Sequence, residues 1–324
     1  MPYAQAAPMD RDAIPVIDIA PLREGRDPRG VAAALHAASQ QLGFIYVGGH
    51  GIPDALIERA RHSAYAFFRQ PEAAKREVAV STSHRGYLAL GGARMQDDAK
   101  ADLKQSYIWG YEDETGRTPQ DHPLRGANRW PATPTDFRAT AMAYFRAAHE
   151  VAHHLLRGFA LGLDLPADFF LRSAERPLSR ASYVYYPAQP EDLGTDQFGV
   201  GPHTDFGLLT VLCQDAVGGL QVQRPDGCWI EAPPVPGTLV VNVADLLSRW
   251  TDGAYRSTPH RVVNSSGRER LSLVLAYDPE PETLIDARQI YGPAHRPREA
   301  EITCGDYLLW RFGKAFAYRA DGTE

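Results

Sequence analysis

From about residue 180 onward the chain is a succession of short runs rich in β-branched and aromatic residues. SYVYY, GLLTVLC, GLQVQ, TLVVNV, HRVVN and LSLVLAY follow one another, separated by Gly, Pro, Asp and Asn turns. This texture constrains the fold more than any other feature. Strands so closely spaced leave no room for crossover helices, so they pair as a sandwich or small barrel and not as a parallel sheet. The earlier half reads differently. IPVIDI (14–19) is a short strand, PRGVAAALHAASQQLG a helix stopped by Gly43, and FIYVGGHGI a strand running into a turn. Helices are expected over 54–69, 71–78 and 134–162, with a glycine-rich loop at RGYLALGGAR and a strand at SYIWGY (106–111). The fold class is therefore α+β. A helical and mixed region (1–178) packs on a β core (179–324), and the two are expected to form one structural unit.

Charge and cysteine content remove several function classes. The net charge is −6, and no run of Lys and Arg offers phosphates a landing surface, which argues against nucleic acid. Cys213, Cys228 and Cys304 are odd in number and lack C-x-x-C spacing, so neither a disulfide framework nor a zinc knuckle is expected. No signal-like segment or membrane-length apolar run is visible. The expectation is a cytoplasmic protein acting on a small molecule, without membrane, nucleic acid or obligate protein partner.

HEVAHH (149–154) spells the H-E-x-x-H of zinc proteases with His149, Glu150 and His153. Helical spacing puts Phe137, Ala141, Tyr144, Ala148, Val151, Leu155 and Phe159 on one buried stripe, with Thr133, Pro134 and Asp136 at the start. The two histidines project away from that stripe, on what is expected to be a solvated face, flanked by Arg146 and Arg157. Leu156 stands where the metzincin extension wants Gly, and no third His follows. Glu175 lies at a gluzincin-like distance, but the bland reading, a polar helix face, is preferred.

A better site lies in the β half. In GPHTDFGLLT, His203 and Asp205 are two apart, which in a strand aims both to one side. In STPHRVVNSSGRERLSLVLAY, NSSG reads as a hairpin turn. That hairpin would set Ser272 near His260, with Arg270 on the same face as Ser272. Two imidazoles and a carboxylate hold one face of an iron(II) octahedron and leave three positions open. A 2-oxo acid can chelate two of them, oxygen takes the third, and a forked guanidinium suits the acid's distal carboxylate. Singly, His203 and His260 would be core histidines, Asp205 a turn cap and Arg270 a surface ion-pair partner. Their conjunction in order favours the metal.

These motifs, with IPVIDIAPL, LGFIYVGGHGIP, GGLQV and PGTLVVNVADLL, resemble the isopenicillin N synthase-like family of iron(II)/2-oxoglutarate-dependent dioxygenases over nearly the whole chain. The resemblance implies a distorted double-stranded β-helix, or jelly roll, with flanking helices mostly from the N-terminal half. It implies His203, Asp205 and His260 as iron ligands, Arg270 and Ser272 on 2-oxoglutarate, and O2 as the second co-substrate. In SYVYYP, alignment on Tyr-Pro favours Tyr186 as a further co-substrate contact, with Tyr185 the competing choice. Val184 departs from a frequent Asn, and Ala244 from a frequent Gly. The implied reaction releases succinate and CO2 while a small organic molecule is oxidised, usually by hydroxylation.

Candidates for the substrate pocket are Arg85, Tyr87, Arg94, Tyr107, Trp109, Phe206 and Trp250. Such aromatics with an Arg suit a small molecule carrying a carboxylate; otherwise they are core and surface residues. Three rivals are a same-fold iron oxidase not using 2-oxoglutarate, a non-catalytic module, and the zinc protease.

Overall fold

The computed structural model describes residues 4–9, 13–93, 100–189 and 193–316. Its strands are β1 (Val16–Asp18), β2 (Phe44–Gly48), β3 (Gly86–Leu88), β4 (Gln105–Gly110), β5 (Arg180–Tyr186), β6 (Val200–His203), β7 (Leu209–Gln214), β8 (Leu220–Gln223), β9 (Trp229–Glu231), β10 (Leu239–Val243), β11 (His260–Val262), β12 (Arg270–Tyr277), β13 (Leu284–Ile285) and β14 (Ile302–Thr303). Its helices are α1 (Ala20–Arg23), α2 (Pro28–Gln41), α3 (Asp54–Phe68), α4 (Glu72–Arg76), α5 (Phe137–Gly162), α6 (Asp245–Trp250), α7 (Arg288–Tyr291) and α8 (Cys304–Ala315). No helix among the described residues is long and apolar enough to cross a membrane.

Eight strands form one sheet in the order β1-β2-β10-β7-β12-β5-β4-β3, and four form a second, β6-β11-β8-β9. The large sheet takes β1 to β4 from the first half and β5, β7, β10 and β12 from the second. Every pairing in both sheets is antiparallel except β1 with β2. The sheets face one another across an inner apolar layer that includes Phe44, Val184 and Val240 from one and Val200, Leu220 and Val262 from the other. This is the antiparallel jelly-roll core with helices outside.

The period-two geometry of a strand sorts its side chains between two different environments. On β12, Arg270, Ser272, Val274 and Ala276 look into the space between the sheets. Leu271, Leu273, Leu275 and Tyr277 look the other way and join the larger core with α5. The stripe Phe137, Ala141, Tyr144, Ala148, Val151, Leu155 and Phe159 is buried as expected. Tyr144 donates from its hydroxyl to the Leu273 carbonyl at 3.4 Å. The α2–β2 connection turns at Gly43, whose φ of +70° suits glycine. A Cβ there would also collide with the Arg256 carbonyl oxygen.

Several expectations need correction. The loop expected at RGYLALGGAR contains β3, which pairs with β4. Helix α5 begins at Phe137, three residues after the proline expected to open it. The expected hairpin between HRVV and LSLVLAY does not form. β11 pairs with β6 and β8 in the small sheet, whereas β12 pairs with β5 and β7 in the large one. The NSSG turn therefore carries the chain from one sheet to the other, as sandwich connections do.

The face of α5 bearing His149 and His153 is not solvated. His149 stacks on Phe145, and both imidazoles contact the Tyr277 ring. Burial, then neighbouring His153, lowers the His149 pKa to about 3. The pair is structural packing between α5 and β12, because helical periodicity alone could not show that a second apolar layer lay on that side.

Candidate metal centre and its cavity

His203 ends β6 and His260 opens β11, directly opposite each other in register. Asp205 follows two residues after His203, in the turn that leads to β7. Each imidazole is oriented through Nδ1, which lies 2.8 Å from the Gly201 carbonyl in His203 and 3.2 Å from the Thr258 carbonyl in His260. That leaves both Nε2 atoms aimed at Asp205 Oδ1, at 3.7 and 3.8 Å. One ligand atom from each of the three lies within 4.8 Å of the others, and they are the one such group of three among the described residues.

The carboxylate is itself held in place. Asn242 Nδ2 donates to Asp205 Oδ2 at 2.8 Å, and the Asp245 backbone N–H donates to the Asp205 carbonyl at 2.9 Å. Burial alone would raise the Asp205 pKa. His260, His203 and the hydrogen bonds from Thr210 and Asn242 outweigh it, so the carboxyl stays ionised. Burial, then His260, takes the His203 pKa down to about 3. A neutral imidazole at His203 and an anionic carboxylate at Asp205 are the protonation states a divalent metal requires of these ligands.

The group opens on a cavity of about 210 Å³ between the sheets. At one end sits Arg270, 1 % exposed. Its Nε donates to the Gly218 carbonyl at 2.6 Å, and its guanidinium lies 4.6 Å over the Tyr186 ring. Nη1 and Nη2 of Arg270 and Oγ of Ser272 are buried with no hydrogen-bond partner. Buried donors left unpaired are costly, so their convergence on one cavity marks the seat of an acceptor. Tyr186 lines this end. Tyr185 points to the other face of β5, stacks on Phe68, and donates to Glu269. The structure thus brings the triad, Arg270, Ser272 and Tyr186 to one space.

Of the six described residues expected to line a substrate pocket, only Phe206 lies in the cavity wall. Tyr107 and Trp109 sit on the opposite face of β4, packed with Trp130 and against Phe137 and Tyr183 respectively. Ser106 and Ile108 take the cavity side instead. Tyr87 hydrogen-bonds Glu72 and Gln105 in the outer core. Arg85 donates to the carbonyls of His84 and Leu124. Trp250 packs on Phe169 and Phe170 and donates to Gln289. Arg94 lies outside the described residues.

The wall contains polar residues that the sequence reading passed over: Lys104, Arg180, Thr210 and Asn242. A signal for them existed. Arg180 and Ser182 are in phase with Tyr186 along β5, and Thr210 and Asn242 are polar residues flanked on both sides by apolar ones in their strands.

Residues 14–133 match the family model described as the N-terminal region of a non-haem dioxygenase in morphine synthesis. Residues 177–279 match that of the 2OG-Fe(II) oxygenase superfamily. The chain is 33% identical to the 2-oxoglutarate-Fe(II) type oxidoreductase hxnY of Emericella nidulans, covering 96% of this chain and 94% of that one. It is 34% identical to homoarginine-6-hydroxylase 2-ODD-233 of Oryza sativa subsp. japonica, covering 86% and 89%. A full-length Neurospora crassa protein, solved as a crystal structure in complex with alpha-KG, has the same fold. Its TM-score is 0.84 at 30% identity, over 96% of this chain and 100% of that one.

Proposed function

This chain belongs to the 2-oxoglutarate-Fe(II) oxygenase superfamily, and from that premise we propose that His203, Asp205 and His260 are its iron ligands and Arg270 and Ser272 its grip on 2-oxoglutarate. The protein is a non-haem iron(II)- and 2-oxoglutarate-dependent oxygenase. The observation that carries the assignment of residues is the pairing of two features in one cavity. A two-imidazole, one-carboxylate set sits within 4.8 Å, and the unpartnered Arg270 Nη atoms and Ser272 Oγ face the same space.

The residues fit the group. Nitrogen and oxygen donors with open positions suit iron(II), whereas a closed structural zinc site would need a fourth protein ligand. Bound iron(II) would supply oxygen activation coupled to conversion of 2-oxoglutarate to succinate and CO2, and so oxidation of the substrate. The chain's own work is positioning. Gly201 and Thr258 carbonyls fix the imidazole tautomers, and Asn242 and Thr210 fix Asp205. Arg270 and Ser272 receive the distal carboxylate by charge-assisted hydrogen bonds, with Tyr186 beneath the guanidinium. Val184, Val200, Leu220 and Val262 keep that end dry and strengthen those bonds.

The substrate is a small organic molecule oxidised at a C–H bond, most often by hydroxylation. The relative named a homoarginine-6-hydroxylase supports this class. No feature of the site favours the oxidase that works without 2-oxoglutarate. Anaerobic titration with iron(II) and 2-oxoglutarate tests the reading. A weak visible charge-transfer band should appear, and Arg270→Ala should weaken it strongly. Bound iron without a band would overturn the co-substrate grip, and no bound iron would overturn the ligand set.

A further inference from the structure

Asp205 stands on a stretch that no strand ladder holds, since Thr204, Asp205 and Phe206 lie between β6 and β7. The approach to His260, residues 256–259, is likewise irregular. Tight metal binding needs ligands that are held before the metal arrives. Something other than the sheets must therefore hold these two stretches.

One carboxylate ties both together. Asp245, the first residue of α6, accepts from Thr204 Oγ1 at 3.1 Å and from Ser257 Oγ at 2.6 Å. Thr204 separates His203 from Asp205, and Ser257 lies three residues before His260. The backbone N–H of Asp245 donates to the Asp205 carbonyl at 2.9 Å. Helix α8 completes the group. Tyr307 donates its hydroxyl to Asp245 Oδ2 at 2.9 Å, and Arg311 Nη1 donates to the same oxygen at 2.5 Å. Nη2 of Arg311 is 3.4 Å from both the carbonyl and the hydroxyl oxygen of Thr204, and the guanidinium lies 4.1 Å over the Phe206 ring. One side chain thus touches the residues on both sides of Asp205. Its planar fork serves Asp245 and Thr204 together, which the point charge of a lysine does less well. Without it Asp245 keeps its hydroxyl donors and loses its ion-pair partner. Neither Asp245 nor Arg311 lines the cavity, so an effect on the metal would run through the ligands they hold.

Resting on the oxygenase reading above, we propose that Asp245 and Arg311 are positioning residues for the iron. The Asp245 carboxylate fixes the Thr204–Phe206 stretch relative to the approach to His260, and Arg311 makes that arrangement depend on the docking of α8. A helix more than forty residues beyond the last ligand thereby contributes to metal affinity.

The test is iron(II) affinity, read anaerobically by competition with a chromophoric chelator. The visible band of the iron(II) and 2-oxoglutarate complex is the second readout. Arg311→Met, apolar and unbranched, should weaken iron(II) binding by about tenfold or more, in the range of partners that orient ligands, and should shift the band maximum. Asp245→Asn should do the same. The double variant should lose less than the product of the two, because both act through one carboxylate. Arg311→Lys should recover part of the loss. Thr204→Val deletes one hydroxyl and keeps the shape, and it should cost about two- to tenfold. Arg249→Met is the control. Arg249 sits in the same polar cleft, but it pairs with Glu299 and the Ala300 carbonyl, neither of them on a ligand-bearing stretch. That variant should lower the denaturant midpoint and leave iron affinity and the band unchanged. Full iron affinity in folded Arg311→Met and Asp245→Asn would overturn the proposal. If those two do not fold, full affinity in Thr204→Val would do so. An equal loss in Arg249→Met would also overturn it, by showing general destabilisation. A wild-type protein that binds no iron(II) would instead be the failure of the ligand assignment.

Discussion

Two pairs of largely enclosed histidines lie among the described residues, His260 buried and the other three half-buried, and their near-identity as pairs makes their difference informative. His149 and His153 on α5 have ring centroids 4.5 Å apart, and His203 and His260 across β6 and β11 are 4.2 Å apart. Burial lowers the pKa of both α5 histidines and of His203. The first pair carries the more famous motif, yet its rings pack on Phe145 and Tyr277, and among the described residues no third ligand atom converges on it. The second has Asp205 within 3.8 Å of both Nε2 atoms and opens on a space that ends in unpaired donors. Neutral imidazoles side by side are therefore not a metal site. A third ligand of opposite charge and an open face make the difference.

The largest expected effect tests that statement directly. Asp205→Ala or His203→Ala should abolish iron binding and oxygenase turnover, a loss beyond the 10- to 100-fold typical of partners that only orient ligands. His149→Ala with His153→Ala should leave iron stoichiometry unchanged. Iron lost from the α5 variant while it remained folded would break the comparison. Arg270→Ala comes next, with about 2–5 kcal/mol of 2-oxoglutarate affinity lost, measured by anaerobic titration of the visible band. Asn242→Ala should weaken iron binding by about 10- to 100-fold without touching the ligands, which a competitive chelator titration would read.

The α5 pair should reveal itself in stability. Deleting the His149 ring should destabilise the protein by about 1–3 kcal/mol, seen in the denaturant midpoint. Its pH dependence has a definite sign. The folded pKa is below the ordinary value, so this contribution is complete above about pH 6.5 and is lost as pH falls toward about 3. His149→Gln should reduce the acid slope of unfolding free energy by up to about 1.4 kcal/mol per pH unit in that window. An unchanged slope would mean that the ring is not held neutral. We also propose that residues 1–178 and 179–324 unfold together, because β1 to β4 complete the sheet built on β5, β7, β10 and β12. A single calorimetric transition is expected, and two resolved transitions would sink the idea.

The chemistry was readable because ligand motifs are local. His203 and Asp205 share a turn, and Arg270 and Ser272 share a strand face, so spacing alone presents each pair together. The stripe of α5 was readable for the same reason, since seven residues at helical spacing define a face without reference to anything else. Strand phase was less legible. On β4 both faces are buried, so the alternation that marks inside from outside disappears, and Tyr107 and Trp109 were placed in the cavity when Ser106 and Ile108 hold that position. Arg180 and Ser182, in phase with Tyr186 along β5, are the local clue to the end of the cavity away from Arg270.

By itself, then, the sequence determined most of the element types and the candidates for the donor set and the co-substrate contacts, because these depend on residue identity and short-range periodicity. The tertiary structure decided which surfaces meet. It sent β11 and β12 to different sheets, so His260 and Arg270 converge across a cavity and not along a hairpin. It laid Tyr277 over His149 and turned a motif into packing. It also gathered Thr204, Ser257 and Arg311 onto one carboxylate, that of Asp245. These are contacts between residues far apart in the chain, set by how two twisted sheets and a long helix bury their apolar faces together, and no local pattern encodes them.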